Sequence, residues 1–369
     1  MRLEAIKPLK IGELSARLPI VQGGMGVGVS LSSLAGAVAA EGGIGVISTA
    51  QIGFYRPDFE KNPLAANLRA IREQIALARE KAGGGIIGVN IMTATKNYKD
   101  YVAEAVRSGA DLIISGAGLP KNLPEYVRNS AAKIAPIVSS EKAARVICRL
   151  WDKHYQCAPD MVVVEGPLAG GHLGFSEKAL APFAGGDAAA ISEMLENYDE
   201  EICRIIRVCR EYGEKYEKEI PVVVAGGIDT PQKTEHYLAL GASGIQAATP
   251  FVATKECDAH ENFKEAYIKA GKEDVVILKS PVGMPGRGIK NAFLERVAWG
   301  NRGEIHCKQC LENCNPAAIP YCITDALIRA VRGDVENGLV FCGANVGKIK
   351  KISTVREVIA NLLAMNCEI

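Results

Sequence analysis

Eight short apolar runs recur along the chain: 19–22 (PIVQ), 44–48 (IGVIS), 86–91 (IIGVNI), 111–115 (DLIIS), 134–139 (IAPIVS), 161–165 (MVVVE), 221–225 (PVVVA) and 244–248 (GIQAA). They are mostly continuous rather than alternating, the pattern of parallel strands covered on both faces. Helical periodicity fills the gaps at 31–41, 64–82, 98–107, 141–152 and 189–218. Ser30 and Ser140 stand where N-caps belong. Eightfold strand–helix alternation predicts a (β/α)8 TIM barrel with a small C-terminal helical lid. The alternative, a doubly wound open sheet, would put a GxGxxG after the first strand, and none is there. Residues 1–260 are expected to form the barrel and 261–369 a lid segment, cysteine-rich at 307–342. A closing helix is expected within KKISTVREVIANLLAM, after Ser353-Thr354.

Each run then breaks into small or polar residues. The first stops at Gly23-Gly24-Met25-Gly26, the third carries Asn90, and the sixth ends in Glu165 ahead of Ala169-Gly170-Gly171-His172. The seventh stops at Gly226-Gly227, and the eighth carries Gln246 into Ala248-Thr249. In a barrel these positions share the C-terminal rim, where active sites sit. Glycine lets backbone N–H groups approach a phosphate, because no Cβ intervenes. A histidine between glycines points to a ligand more than to a core, although a bond to a loop carbonyl would also explain it. Ser139 and Ser140 read as helix caps, and Lys279 as a solvated lysine on an extended run. The SPVGMPGRG loop (280–288) reads as a shaped wall whose charged member is Arg287, with Met25 and Met284 lining an apolar pocket.

Together PIVQGGMG (19–26), LAGAVAAEGGIGVIS (34–48), GVNIM (88–92), ISGAGLP (114–120), AGGHLG (169–174), VVVAGGI (222–228), GASGIQAATPF (241–251) and SPVGMPGR (280–287) resemble the FMN-dependent nitronate monooxygenase family. They resemble the flavin-dependent enoyl-ACP reductases nearly as closely. The matching pieces span about three quarters of the chain. The resemblance implies FMN, with Gly23, Gly24, Met25 and Asn90 at the isoalloxazine and Gly226, Gly227, Gln246, Ala248 and Thr249 at the ribityl phosphate. It adds Ala169, Gly170 and Gly171 to the cofactor site and sets His172 beside the substrate as the catalytic residue, where an imidazole of ordinary pKa suits proton removal from a nitroalkane carbon. Glu165, at the end of the sixth run, is counted with the cofactor site, to position His172 or a flavin hydroxyl, although a carboxylate accepting from loop N–H groups would explain it equally. The implied reaction converts an alkyl nitronate and O₂ to a carbonyl compound and nitrite. The alternative is reduction of an activated alkene in an enoyl thioester by NAD(P)H. Pro167-Leu168-Ala169 and Ala248-Thr249 depart from the residues common in relatives. A flavin-binding sensor without activity and a phosphate-binding isomerase are further alternatives, and the latter leaves QGGMG and AGGHLG unexplained.

Composition changes this picture little. The net charge is +1, with acidic and basic residues interleaved, so nucleic acid and membrane partners are not expected. No apolar stretch approaches the roughly 20 residues of a membrane span, and no signal segment is evident, which predicts a cytoplasmic protein. A homodimer is left open. Cys148, Cys157, Cys203, Cys209, Cys257 and Cys367 are scattered and read as free thiols. Cys307-x2-Cys310-x3-Cys314-x7-Cys322, with Cys342 beyond, has a spacing open to an iron–sulfur cluster, zinc or reduced thiols in a lid.

Overall fold

The computed structural model describes residues 6–184, 188–301 and 305–365, so Cys367 lies outside the described residues. All eight apolar runs are strands of one closed, all-parallel barrel: β1 (Ile20–Gln22), β2 (Ile44–Ser48), β3 (Ile86–Met92), β4 (Leu112–Gly116), β5 (Lys133–Val138), β6 (Val162–Glu165), β7 (Val222–Ala225) and β8 (Gly244–Ala247). Closure is between β8 and β1, with Ile245 beside Ile20 and Gln246 beside Val21.

The runs are continuous because both faces are buried. On β6, Val163 points into the barrel with Val21, Val46, Leu112 and Val223, whereas Val162 and Val164 face the surrounding helices. An antiparallel pair, Leu9–Ile11 with Leu14–Ala16, precedes the barrel. Its Leu9 and Ile11 pack with Ile44 and Ile86, the first residues of their strands, and so plug the end opposite the rim.

Helices follow at Ser32–Ala40, Pro63–Ala82, Tyr98–Arg107, Glu141–Tyr155 and Ala188–Lys215. Ser140 caps its helix as expected, its side chain accepting from Ala143 N at 3.2 Å. Ser30 does not. The helix begins at Ser32 after Leu31, and the Ser30 hydroxyl accepts from Met25 N at 2.8 Å instead. The helix N-terminus is held by Asp258, whose carboxylate accepts from Leu31 N (2.8 Å), Ser33 N (3.1 Å) and Leu34 N (3.1 Å).

Beyond the barrel, helices Glu261–Lys269, Ala292–Ala298 and Ile323–Val331 build the lid. They share it with a hairpin that periodicity does not reveal. Strand Val275–Lys279 pairs with Pro285–Ile289, which pairs in turn with Gly171–His172. This three-stranded flap lies over the rim. The closing helix, Val355–Leu363, opens with a capping box between Thr354 and Glu357 and packs on Ile20, Leu34 and Ile245.

Candidate active site

A cavity of about 260 Å³ opens at the C-terminal ends of the barrel strands. Every residue that the motifs place in the cofactor site lines it, and so does His172. Met25 and Met284 also line it, as expected for an apolar pocket.

At one side the Gly23-Gly24 turn crosses β3. A Cβ on Gly24 would stand 2.4 Å from the Asn90 Cβ, so only glycine lets the chain pass this close. Buried Gln22 pins the turn from beneath, its side-chain oxygen accepting from Val46 N at 3.0 Å. Gly23 N donates to Ala247 O at 2.8 Å and ties the turn to the end of β8. At the other side Gly226 and Gly227 adopt φ of +105° and +75°, which glycine takes without strain. The Gly227 carbonyl accepts from Lys233 Nζ (2.6 Å) and Asn345 Nδ2 (2.8 Å). Asp229 pairs with Lys233 and Lys348, both at 2.7 Å. A glycine cradle whose backbone a phosphate can approach closely, with the Asp229 carboxylate on its border neutralised by the two lysines, suits that group, and a cleft over Asn90 suits a flat ring. The residues present fit FMN on these grounds.

His172 borders the cavity from the flap. Its Nε2 lies 2.7 Å from Ser280 Oγ, and its ring meets Phe341 edge-on, with centroids 5.0 Å apart. Enclosure lowers the imidazole pKa to about 4, so the ring is neutral at ordinary pH. The hydroxyl partner replaces the loop carbonyl that a merely structural histidine was expected to use. Glu165 stands on the same wall. Burial raises its carboxyl to about 7, against smaller opposing pulls from the Gly174 N–H and Arg287.

Arg287 is not the cavity-facing charge that the loop suggested. It is fully buried and donates to the carbonyls of Ala169 and Pro167, the latter at 2.9 Å. The side chain thus anchors the loop that carries His172, and burial lowers its pKa to about 10. Lys279 is exposed, with Glu177 3.9 Å away. Sequence reasoning missed Ser280 as the histidine's partner, together with Phe341, Cys342, Gly343 and Asn345 from the C-terminal segment. No local pattern marks these residues, because only the folded flap brings them to the rim.

Cys307, Cys310, Cys314 and Cys322 line a second cavity beside Lys96, which lies on the loop that follows β3. Cys342 does not join them; it is buried in the wall of the first.

The family model described as nitronate monooxygenase matches residues 7–365. A Staphylococcus saprophyticus protein described as a probable nitronate monooxygenase is 25% identical over 310 residues, covering 78% of this chain and 79% of its own length. FabK from Thermotoga maritima superposes with a TM-score of 0.67 at 26% identity, over 94% of this chain and 91% of its own. The nitroalkane oxidase of Streptomyces ansochromogenes shares the fold, with a TM-score of 0.68 at 20% identity, over 94% of this chain and 96% of its own.

Proposed function

The chain belongs to the nitronate monooxygenase family and is an oxidoreductase, and on that premise we propose that it holds FMN across the rim and oxidises a preformed alkyl nitronate. In this reading two nitronates and one O₂ give two carbonyl compounds and two nitrites: each C–N bond breaks, one oxygen atom of O₂ joins each carbon, and each nitrogen leaves as nitrite. Gly23, Gly24, Met25 and Asn90 bear the flat ring, while Gly226, Gly227, Gln246, Ala248 and Thr249 receive the phosphate. Glu165, Ala169, Gly170 and Gly171 complete the walls. FMN, when bound, supplies the electron acceptor and the route to O₂.

The observation that carries the reading is the state of the two titratable groups on one wall. His172 is pushed down to about 4 and Glu165 up to about 7, so each is held toward its uncharged form near neutrality. A wall of that kind meets a delocalised anion with less like-charge repulsion than an ordinary carboxylate would impose. The imidazole nitrogen not engaged by Ser280 is free to hydrogen-bond a nitronate oxygen. With so low a pKa His172 is a weak base, which argues against the proton abstraction expected from sequence and for a substrate that arrives already deprotonated. The apolar residues Met25, Met284 and Phe341 exclude water and accommodate an alkyl chain.

Reduction of an enoyl thioester by NAD(P)H is the second reading, supported by the shared motifs and the likeness to FabK. Anaerobic titration of the flavin-loaded protein separates the two. Bleaching by a nitronate, with none by NADH or NADPH, is expected. Bleaching by a pyridine nucleotide alone would replace the first reading with the second.

A further inference from the structure

We propose that Cys307, Cys310, Cys314 and Cys322 ligate a [4Fe–4S] cluster in the second cavity. All four thiols line this one space of about 270 Å³, which they share with Lys96 and Lys308. The spacings of three, four and eight would share one face of a helix, but 307–322 is loop and turns with a single bridge at Leu311, so it is the folded loop that turns all four toward one interior. The backbone around the first pair is shaped for a sulfur that accepts hydrogen bonds. Gln309 takes φ +50°, and its N–H points back to Cys307 Sγ at 3.4 Å. Hydrogen bonds of this kind tune iron–sulfur centres. Cys322 is the residue immediately before helix Ile323–Val331.

The geometry favours a cluster over a single ion. Four thiolates on one zinc each stand about 2.3 Å from it, and hence within roughly 4 Å of one another. Among the described residues no three His, Cys, Asp or Glu side chains are gathered closely enough to hold one metal ion. A space of about 270 Å³ lined by four cysteines is larger than one ion needs and has room for a multi-iron body. Lys96, whose Nζ bonds the Gln309 side chain at 2.8 Å, supplies positive charge at its edge, while Lys308 is paired with Glu60 and lies 3.8 Å from Asp325.

The loop is also fixed to the catalytic wall. Lys96 N donates to Cys310 O (3.2 Å) and Glu312 N to Ala94 O (3.0 Å), just beyond the strand that carries Asn90. Helix Ile323–Val331 brings Leu327 to the active-site cavity. A cluster here would pin two sides of the flavin pocket. Binding a preassembled cluster moves no electrons: four S–H groups lose their protons and four Fe–S bonds form.

The test is elemental analysis of the full chain purified without oxygen, before and after treatment with iron, sulfide and excess thiol. About four iron and about four acid-labile sulfide per chain are expected, with broad brown absorbance beneath the flavin bands. Cys310→Ser and Cys314→Ser should each lose most of the iron, and Cys157→Ser should keep it. Should a variant fail to fold, the wild-type stoichiometry decides. One zinc per chain without sulfide would overturn the proposal. So would a folded, treated protein whose four thiols all still react with iodoacetamide.

Discussion

Ser280 Oγ sits 2.7 Å from His172 Nε2 across 108 residues of sequence. The contact exists because Gly286 of the flap pairs with His172, which brings the strand before the flap turn over the barrel mouth. The same hydroxyl accepts from Val282 N at 3.3 Å, so the flap turn and the imidazole are held by one atom. Ser280→Ala should leave His172 free to rotate while removing no cofactor contact. We expect turnover of a nitronate to fall about tenfold, with flavin content unchanged. His172→Ala should cost more, about a hundredfold. Parallel kcat and KM measurements check this, and a loss confined to KM in Ser280→Ala would contradict the positioning role.

Glu165 makes a pH prediction with a definite sign. Its carboxyl is raised from 4.5 to about 7, chiefly by burial, so the folded protein binds this proton more tightly than the unfolded chain does. The associated stability is present below pH 4.5 and is lost as pH rises through about 7. Glu165→Gln carries no such proton. The variant should therefore gain stability relative to wild type between pH 5 and pH 8, by at most about 3 kcal/mol. Thermal unfolding of both proteins across that range measures the difference. A difference independent of pH would mean that the carboxyl is not buried as described. His172, lowered to about 4, acts oppositely: its contribution is lost as pH falls from 6.5. Only the comparison with the variant isolates Glu165.

Gly24 tests the flavin site without touching a titratable group. An added Cβ would lie 2.4 Å from the Asn90 Cβ and 3.2 Å from a Val46 methyl. The turn must lift away from β3, which moves the surface assigned to the flat ring. Gly24→Ala should weaken FMN binding about a hundredfold, because small displacements of a preorganised site are costly. Retained helical circular dichroism alongside weak FMN binding in a fluorescence titration is the expected result. Unchanged affinity would remove Gly24 from the cofactor site.

The barrel was legible because its signal is local. Val162, Val163 and Val164 read as a strand on their own, and burial on both faces explains why the run is unbroken. The rim was legible for the same reason, since strand ends announce themselves as glycines. The flap was only half legible. Val275–Lys279 has the apolar run of a strand, but its partner Pro285–Ile289 reads PGRGI and carries no such pattern. Those glycines serve close approach instead: a Cβ on Gly288 would meet the Val340 carbonyl at 2.7 Å. The inward turn of Arg287 was equally hidden. Its partners, the carbonyls of Pro167 and Ala169, lie some 120 residues earlier and carry no side-chain signal.

The same distance hid the cap of the first barrel helix, and it makes a last prediction. Asp258 lies 227 residues from Leu31 but satisfies three N–H groups at the start of helix Ser32–Ala40, a place that local sequence assigns to Ser30. Burial raises the Asp258 carboxyl, while the three N–H bonds pull it down. Asp258→Ala would leave all three donors without their acceptor inside the protein. We expect a loss of about 2–3 kcal/mol, larger than an exposed cap costs, because the site is enclosed. Asp258→Asn keeps one acceptor oxygen and should recover part of it. Neither change alters a residue lining the cavity, so FMN affinity should stay within about twofold of wild type. Urea unfolding paired with a flavin titration distinguishes this from a site effect. If Asp258→Ala lost flavin without losing stability, the carboxylate would belong to the cofactor site rather than to the helix.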